Sequence, residues 1–173
     1  MKPPRNAKLS LMEDIASIFE DVSTFGTVFN IYYEDDLRAK TVPTRPYLYI
    51  LDNNVKFPAE RLPAVIIWPR FSYRAFELGG DALWHCDLVV DVFGNNRGER
   101  EDISAAIAEG VMAFTIYEHS VTPNTVWGTA TVYENSRGEY WGLDPQTADD
   151  EASVEGTLLN MMRCTSQFWC KPT

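Results

Sequence analysis

Three groups capable of chemistry fall at even spacing in the run Trp84-His85-Cys86-Asp87-Leu88-Val89-Val90-Asp91: His85, Asp87 and Asp91. Residues two and four apart on a strand share a face, so the two carboxylates and the imidazole could converge on a cation or act as acid and base. A metal-dependent hydrolase would need such a set. A structural reading competes with it. Arg70 and Arg74 precede the run on a facing segment, and a tight hairpin would set Arg74 across from Asp87 and Arg70 across from Asp91 as cross-strand ion pairs. Exposed pairs of this kind contribute only about 0.2–1 kcal/mol each, yet they fix register and keep one face polar. The register argument favours the ion pairs.

The rest of the chain offers less. Cys86, Cys164 and Cys170 form no CxxC, and the last two are separated by five residues, a spacing foreign to zinc ribbons and redox pairs. An odd cysteine count argues against a disulfide framework and for synthesis in a reducing cytoplasm. Cys86 falls on the apolar parity of its strand, where a thiol acts as a small hydrophobe. His119 follows a predicted helix and suits its carbonyl end. No G-x-S-x-G, Walker loop or HExxH occurs. The acidic clusters Glu34–Asp36 and Asp149–Glu151 lack calcium-loop spacing and read as solvated faces. No catalytic, cofactor-binding or metal-ligating residue is assigned, and no cofactor is expected.

The elements that position these groups follow from periodicity. Ser10 and Glu13 have the spacing of a capping box, and Leu11, Ile15, Ile18, Phe19 and Val22 form an apolar stripe, predicting a helix over 10–25. Residues 40–63 carry Pro43, Pro46, Pro58 and Pro63 and are expected to form an arm packed on the body or on a neighbouring subunit, with a short strand at Tyr47–Leu51. Ala64–Glu77 and Ala82–Phe93 both alternate with period two around Leu78-Gly79-Gly80-Asp81. They predict a hairpin over 64–93, with Gly80-Asp81 as its two-residue turn. That register also sets Phe71 opposite Val90 and Tyr73 opposite Leu88. Asn96 and Glu99 can cap a second helix over 99–117, with Ile103, Ile107, Val111 and Phe114 inward. Strands are expected at 126–134 and 157–169, flanking an acidic loop over 135–156. The fold class expected is α+β in a single domain: a mainly antiparallel four-stranded sheet with two helices packed on one face, plus the proline-rich arm and the acidic loop.

The 173 residues carry 25 acidic and 15 basic side chains, a formal net charge of −10. Such a surplus disfavours a constitutive nucleic-acid binder, whose affinity comes largely from cations replacing counterions. It equally disfavours a basic membrane-surface protein. No apolar run approaches the roughly 18–20 residues of a bilayer span, and Met1–Ser10 lacks the apolar core of a secretory signal. With 45% hydrophobic residues, the chain has the means to bury a core.

This order of elements resembles the tail-terminator (tail completion) proteins of tailed bacteriophages, and more loosely their neck and head–tail joining proteins. The likeness is carried by the amphipathic first helix, the strand opening Leu62-Pro63-Ala64-Val65-Ile66-Ile67, the run Leu88-Val89-Val90-Asp91-Val92-Phe93-Gly94, and the helix beginning Glu99-Arg100-Glu101-Asp102-Ile103. The arm and the acidic loop depart from a minimal member. The resemblance implies a structural virion protein, not an enzyme, localised to the tail or neck region and made in the host cytoplasm. It implies a ring, usually hexameric, that caps the tail tube, ends its polymerisation and meets a head-proximal connector or stopper protein. Genome DNA would pass through without specific binding, past a lumen lined by acidic segments such as Glu34–Asp36 or Asp149–Glu151. Tyr47, Tyr49, Phe57, Trp68 and Phe76, outside the periodic core, are the expected aromatic anchors for subunit or partner contact. The alternatives are another neck, connector or baseplate component and, more remotely, the hydrolase built on Asp87 and Asp91.

Overall fold

A computed structural model describes residues 3–22, 26–52, 61–76, 82–120, 122, 124–141 and 160–172, with side chains at 5–22, 26–52, 61–68, 84–120, 122, 124–132 and 169–171. The chain runs α1 (Pro3–Glu20), β1 (Asn30–Tyr32), α2 (Glu34–Arg38), β2 (Tyr47–Asp52), β3 (Ala64–Phe76), β4 (Ala82–Phe93), α3 (Arg97–Gly110), β5 (Ala113–Glu118), β6 (Thr125–Trp141) and β7 (Asn160–Pro172). The strands form one seven-stranded sheet in the order β1-β2-β3-β4-β7-β6-β5. β1, β2 and β3 are mutually parallel, and every later pairing is antiparallel. The sheet curls into a half-barrel.

This corrects the expected four-stranded antiparallel sheet with two helices. One extra strand, β1, lies just before the proline-rich segment, and the short strand expected at Tyr47–Leu51 within it is present as β2 but belongs to the main sheet. β2 is buried along nearly its whole length, and a strand covered on both faces shows a continuous apolar run rather than alternation. Another, β5, occupies the second half of the predicted second helix. α3 ends at Gly110, and beyond Val111 the buried Phe114 and Ile116 alternate with Ala113, Thr115 and Tyr117. Phe114 extends the helical stripe of Ile107 and Val111 and equally alternates with Ile116 as a strand residue, and Gly110 decides between the two by ending the helix. The segment expected as an acidic loop begins as strand, because β6 continues to Trp141. Residues 142–159, including Asp149–Glu151, lie outside the described residues.

Curling follows from α1. Its apolar face (Ala7, Leu11, Ile15, Ala16 and Phe19) joins one core with Leu48 and Ile50 of β2, Val65 and Ile67 of β3, alternate residues of β4, Ile103 and Ile107 of α3, and Phe114 and Ile116 of β5. A single helix thus touches both ends of the sheet, which is possible only on the concave side. Polar ties reinforce the span. Lys8 pairs with Asp52 on β2, while Asn6 Nδ2 donates to Glu118 Oε2 on β5 at 3.2 Å. α1 and α3 cross closely at Gly110, where a Cβ would stand 2.7 Å from Ile18 Cδ1. On the other face of β2 and β3, Tyr47, Tyr49, Leu51, Leu62, Ala64, Ile66 and Phe93 form a second cluster, with Leu37 of α2 packed against it.

The first helix begins at Pro3, so Ser10 is an interior residue and not a cap. The cap predicted at Asn96 is present: its side chain accepts from Glu99 N at 2.9 Å. Glu99 turns its carboxylate to Asn95 N at 2.6 Å. Gly94 leaves the room this corner needs, since a Cβ there would meet Arg100 Cγ at 2.8 Å.

The β3–β4 register differs from the one a two-residue turn dictates. Its last pair is Phe76 with Ala82, so five residues make the connection. Counting from the turn, a bulge between Pro69 and Phe71 then shifts the far half, Ala64–Pro69, by one further position. Proline lacks the N–H that a regular ladder needs, which suits it to a bulge. Asp87 therefore stands opposite Phe71, Asp91 opposite Ile66, and Arg74 opposite Trp84.

Candidate functional site

Strand β4 divides its residues as alternation predicts. Cys86, Leu88, Val90 and Val92 enter the main core, and His85, Asp87, Val89 and Asp91 share the outer face. That outer row is not a solvated surface, because all four of its members are buried. Asp91 accepts a hydrogen bond from Trp68 Nε1 at 3.0 Å. His85 packs edge-on against Trp169 of β7, ring centroids 5.2 Å apart. Across on β7, Asp91 faces Arg163 and Asp87 faces Gln167 in register.

The expected pairs of Arg74 with Asp87 and Arg70 with Asp91 are not opposite one another in this ladder. The side chains of Arg70 and Arg74 lie outside the described residues. A buried row of two aspartates and a histidine, clasped by two tryptophans, fixes strand position more readily than it admits a substrate. Among the described residues, no group of three His, Cys, Asp or Glu side chains has the geometry to hold a metal ion.

Buried polar groups at the other end of the sheet form a cluster that no local pattern signals. Ser10 is almost fully buried. Its Oγ accepts from Tyr117 N at 3.0 Å and lies 3.0 Å from His119 Nε2. His119 Nδ1 lies 3.4 Å from Asn124 Nδ2 and 3.8 Å from Glu13 Oε1. Serine, histidine and carboxylate in this sequence resemble a nucleophilic relay. Here, however, the serine oxygen sits mid-helix under β5 and already accepts a backbone N–H, so the arrangement works as a clamp between α1 and β5. Beside it the Ser120 hydroxyl, seconded by the Asn6 amide, holds the Glu118 carboxyl below its usual range.

Cys86 and Cys170 meet inside the core with Sγ atoms 3.7 Å apart. Cys170 donates to Cys86, and that bond together with burial pushes its thiol far above the ordinary range. Both sulfurs act as apolar filler.

Of the expected contact aromatics, Tyr47 and Tyr49 are corrected: both are buried within the chain's own fold. With Tyr32 they form a ring cluster, Tyr47 edge-on to Tyr49 at 5.8 Å and Tyr32 edge-on to Tyr47 at 6.3 Å. Burial raises the Tyr49 phenol above its usual pKa. Trp68 is half-buried and engaged with Asp91. Phe57 and the side chain of Phe76 lie outside the described residues. In the acidic patch, Glu34 pairs with Arg38 and Asp36 Oδ2 accepts from Tyr33 N at 2.9 Å, so two of its three carboxylates help to hold α2.

A cleft of about 370 Å³ is lined by Phe29, Arg45, Pro46, Tyr47, Pro63 and Glu99. The Arg45 guanidinium lies over the Tyr47 ring at 5.6 Å, and Glu99 is turned to Asn95. None of the β4 row reaches this cleft. No helix among the described residues is long and apolar enough to cross a membrane. No protein-family model matches the chain, and no curated protein matches its sequence.

Proposed function

We propose that this chain is a structural subunit of a tailed-phage virion, assembling with copies of itself into a ring that caps the tail tube, ends its growth and presents a face to the head connector. The observation that supports this reading is the disproportion between strands and helices. β6 has 17 residues, about 55 Å at ~3.3 Å per residue. α1 has 18, about 27 Å at ~1.5 Å per residue. The paired strands β3–β4 and β6–β7 therefore overrun the helical layer, giving long strand ends suited to reaching neighbours. The negative charge suits a ring through which DNA slides without adhering.

The hydrolase reading is disfavoured because Asp91 is committed to Trp68 and the β4 row is buried. A different connector of the same particle is the closer rival. Tail-tube polymerisation separates the two. Added to growing tubes, a terminator stops elongation and yields shorter tubes with one blocked end. A connector acting elsewhere leaves the length distribution unchanged.

A further inference from the structure

The curled sheet has two incomplete margins. β2 pairs with β3 only from Ala64 to Ile67, so beyond the bulge the outer edge of Phe71–Phe76 faces no strand among the described residues. At the opposite margin β5 pairs with β6 no further than Thr131. A second bulge falls between Val132 and Glu134, and beyond it the outer edge of Glu134–Trp141 likewise faces no described strand. One margin lies at the β3–β4 connection. The other lies at the far end of the strands, since β7 aligns Met162 with both Glu139 of β6 and Val92 of β4. Rows of N–H and C=O groups of this length that face no strand among the described residues invite another strand.

We infer that the two margins are the two halves of one head-to-tail interface, with β6 of one copy adding to β3 of the next. The direction is right. Successive antiparallel pairings from β3 through β4 and β7 make β6 run opposite to β3, so a neighbouring copy in the same orientation offers an antiparallel partner. The lengths agree, with six residues on one side and eight on the other. Charge is complementary too: 70–76 contains Arg70 and Arg74 with no acid, whereas 134–141 contains Glu134 and Glu139 against Arg137. The diagonal placement produces a stagger between copies, which tilted strands around a closed ring absorb as shear. A contact between two different surfaces of one chain generates a ring when its rotation closes. The inference rests on the reading of the chain as a ring-former, and it adds which surfaces meet.

Hydrogen exchange of the full chain, followed by mass spectrometry at protein concentrations below and above assembly, tests it. Amides within 71–76 and within 134–141 are expected to slow together, by at least ~10-fold, as the chain assembles. Proline variants provide the second arm. Alternate N–H groups point to opposite sides of a strand, so one of Ser72→Pro and Tyr73→Pro, and one of Ser136→Pro and Arg137→Pro, removes an outward donor while sparing the fold. Each such variant, checked by circular dichroism, is expected to be a monomer alone. Equimolar mixing of a β3 variant with a β6 variant should give 1:1 dimers, because each retains the edge the other lacks. Multimers whose two segments exchange as fast as in the dilute chain would overturn the edge assignment and leave the ring reading standing. Protection of one segment alone would also overturn it, by indicating a symmetric contact. A chain that stays monomeric at every concentration would defeat both.

Discussion

Ser10 and His119 are separated by 109 residues in sequence and by 3.0 Å in space. The serine oxygen also receives Tyr117 N, so one hydroxyl joins the middle of α1 to the edge strand β5. Lys8 and Asp52 do the same two residues earlier, at the opposite side of the sheet. Between them these contacts hold the sheet curled around α1.

Ser10→Ala removes the acceptor of a buried backbone N–H. Leaving such a donor unsatisfied costs about 1–3 kcal/mol, and urea unfolding should show a loss of that size. Ser10→Thr keeps the hydroxyl and should lose less. Equal losses from the two variants would mean that packing, not the hydrogen bond, accounts for the position.

Lys8→Met strands the Asp52 carboxylate, whose Oδ1 has no partner among the described residues. Breaking a buried pair typically costs about 3–5 kcal/mol. Asp52 is one-quarter exposed, so the lower end or slightly less is expected. Adding Asp52→Leu to Lys8→Met should recover most of the loss, as measured by a double-mutant cycle. A double variant as unstable as the single would show that the pair does not tie α1 to β2.

Tyr49 carries a fully buried phenol with no hydrogen-bond partner for its hydroxyl among the described residues. Burial raises its pKa above that of the unfolded chain. The native state therefore holds its proton where the unfolded state releases one, so the stabilisation is present below about pH 10 and is lost as pH rises through the folded value. Tyr49→Phe should be neutral or slightly stabilising at pH 7 and should flatten the alkaline fall in stability. Parallel curves for both proteins above pH 10 would contradict this.

Gly94→Ala places a methyl against the α3 backbone at Arg100 N, 3.1 Å away, as well as against Arg100 Cγ. Overpacking of this kind costs about 1–3 kcal/mol, and the loss should appear as a lower thermal midpoint. Gly98→Ala has its nearest neighbour at 3.4 Å, so it should be tolerated and serves as the control.

Several of these features are legible in the sequence. The helical stripe of α1 as far as Phe19, the face parity of β4 and the Asn96 cap all rest on local spacing and are present, whereas Val22, the last residue of the expected stripe, lies beyond α1 and is exposed. The strand at Tyr47–Leu51 is legible as well and is present as β2, but its place within the main sheet is not, because with both faces covered it shows no alternation. Other features have no local signature. β5 satisfies two periodicities until Gly110 chooses between them. The β3–β4 register depended on the length of the turn, which Gly79-Gly80-Asp81 does not determine, and on a bulge at Pro69 whose proline is visible but whose consequence is not. The clamp of Ser10 with His119 joins residues 109 apart, and its serine carries a misleading local signal in the Glu13 three residues on. Tyr47 and Tyr49 read as contact residues because they stand outside the periodic core, yet a parallel strand in that segment turns them into core.

Electron microscopy of the purified protein, alone and mixed with polymerised tail tubes, tests the central claim most directly. The account predicts closed rings of about six subunits, the number the resemblance implies, and caps seated at one end of each tube. Uniform monomers that leave the tube ends bare would contradict it.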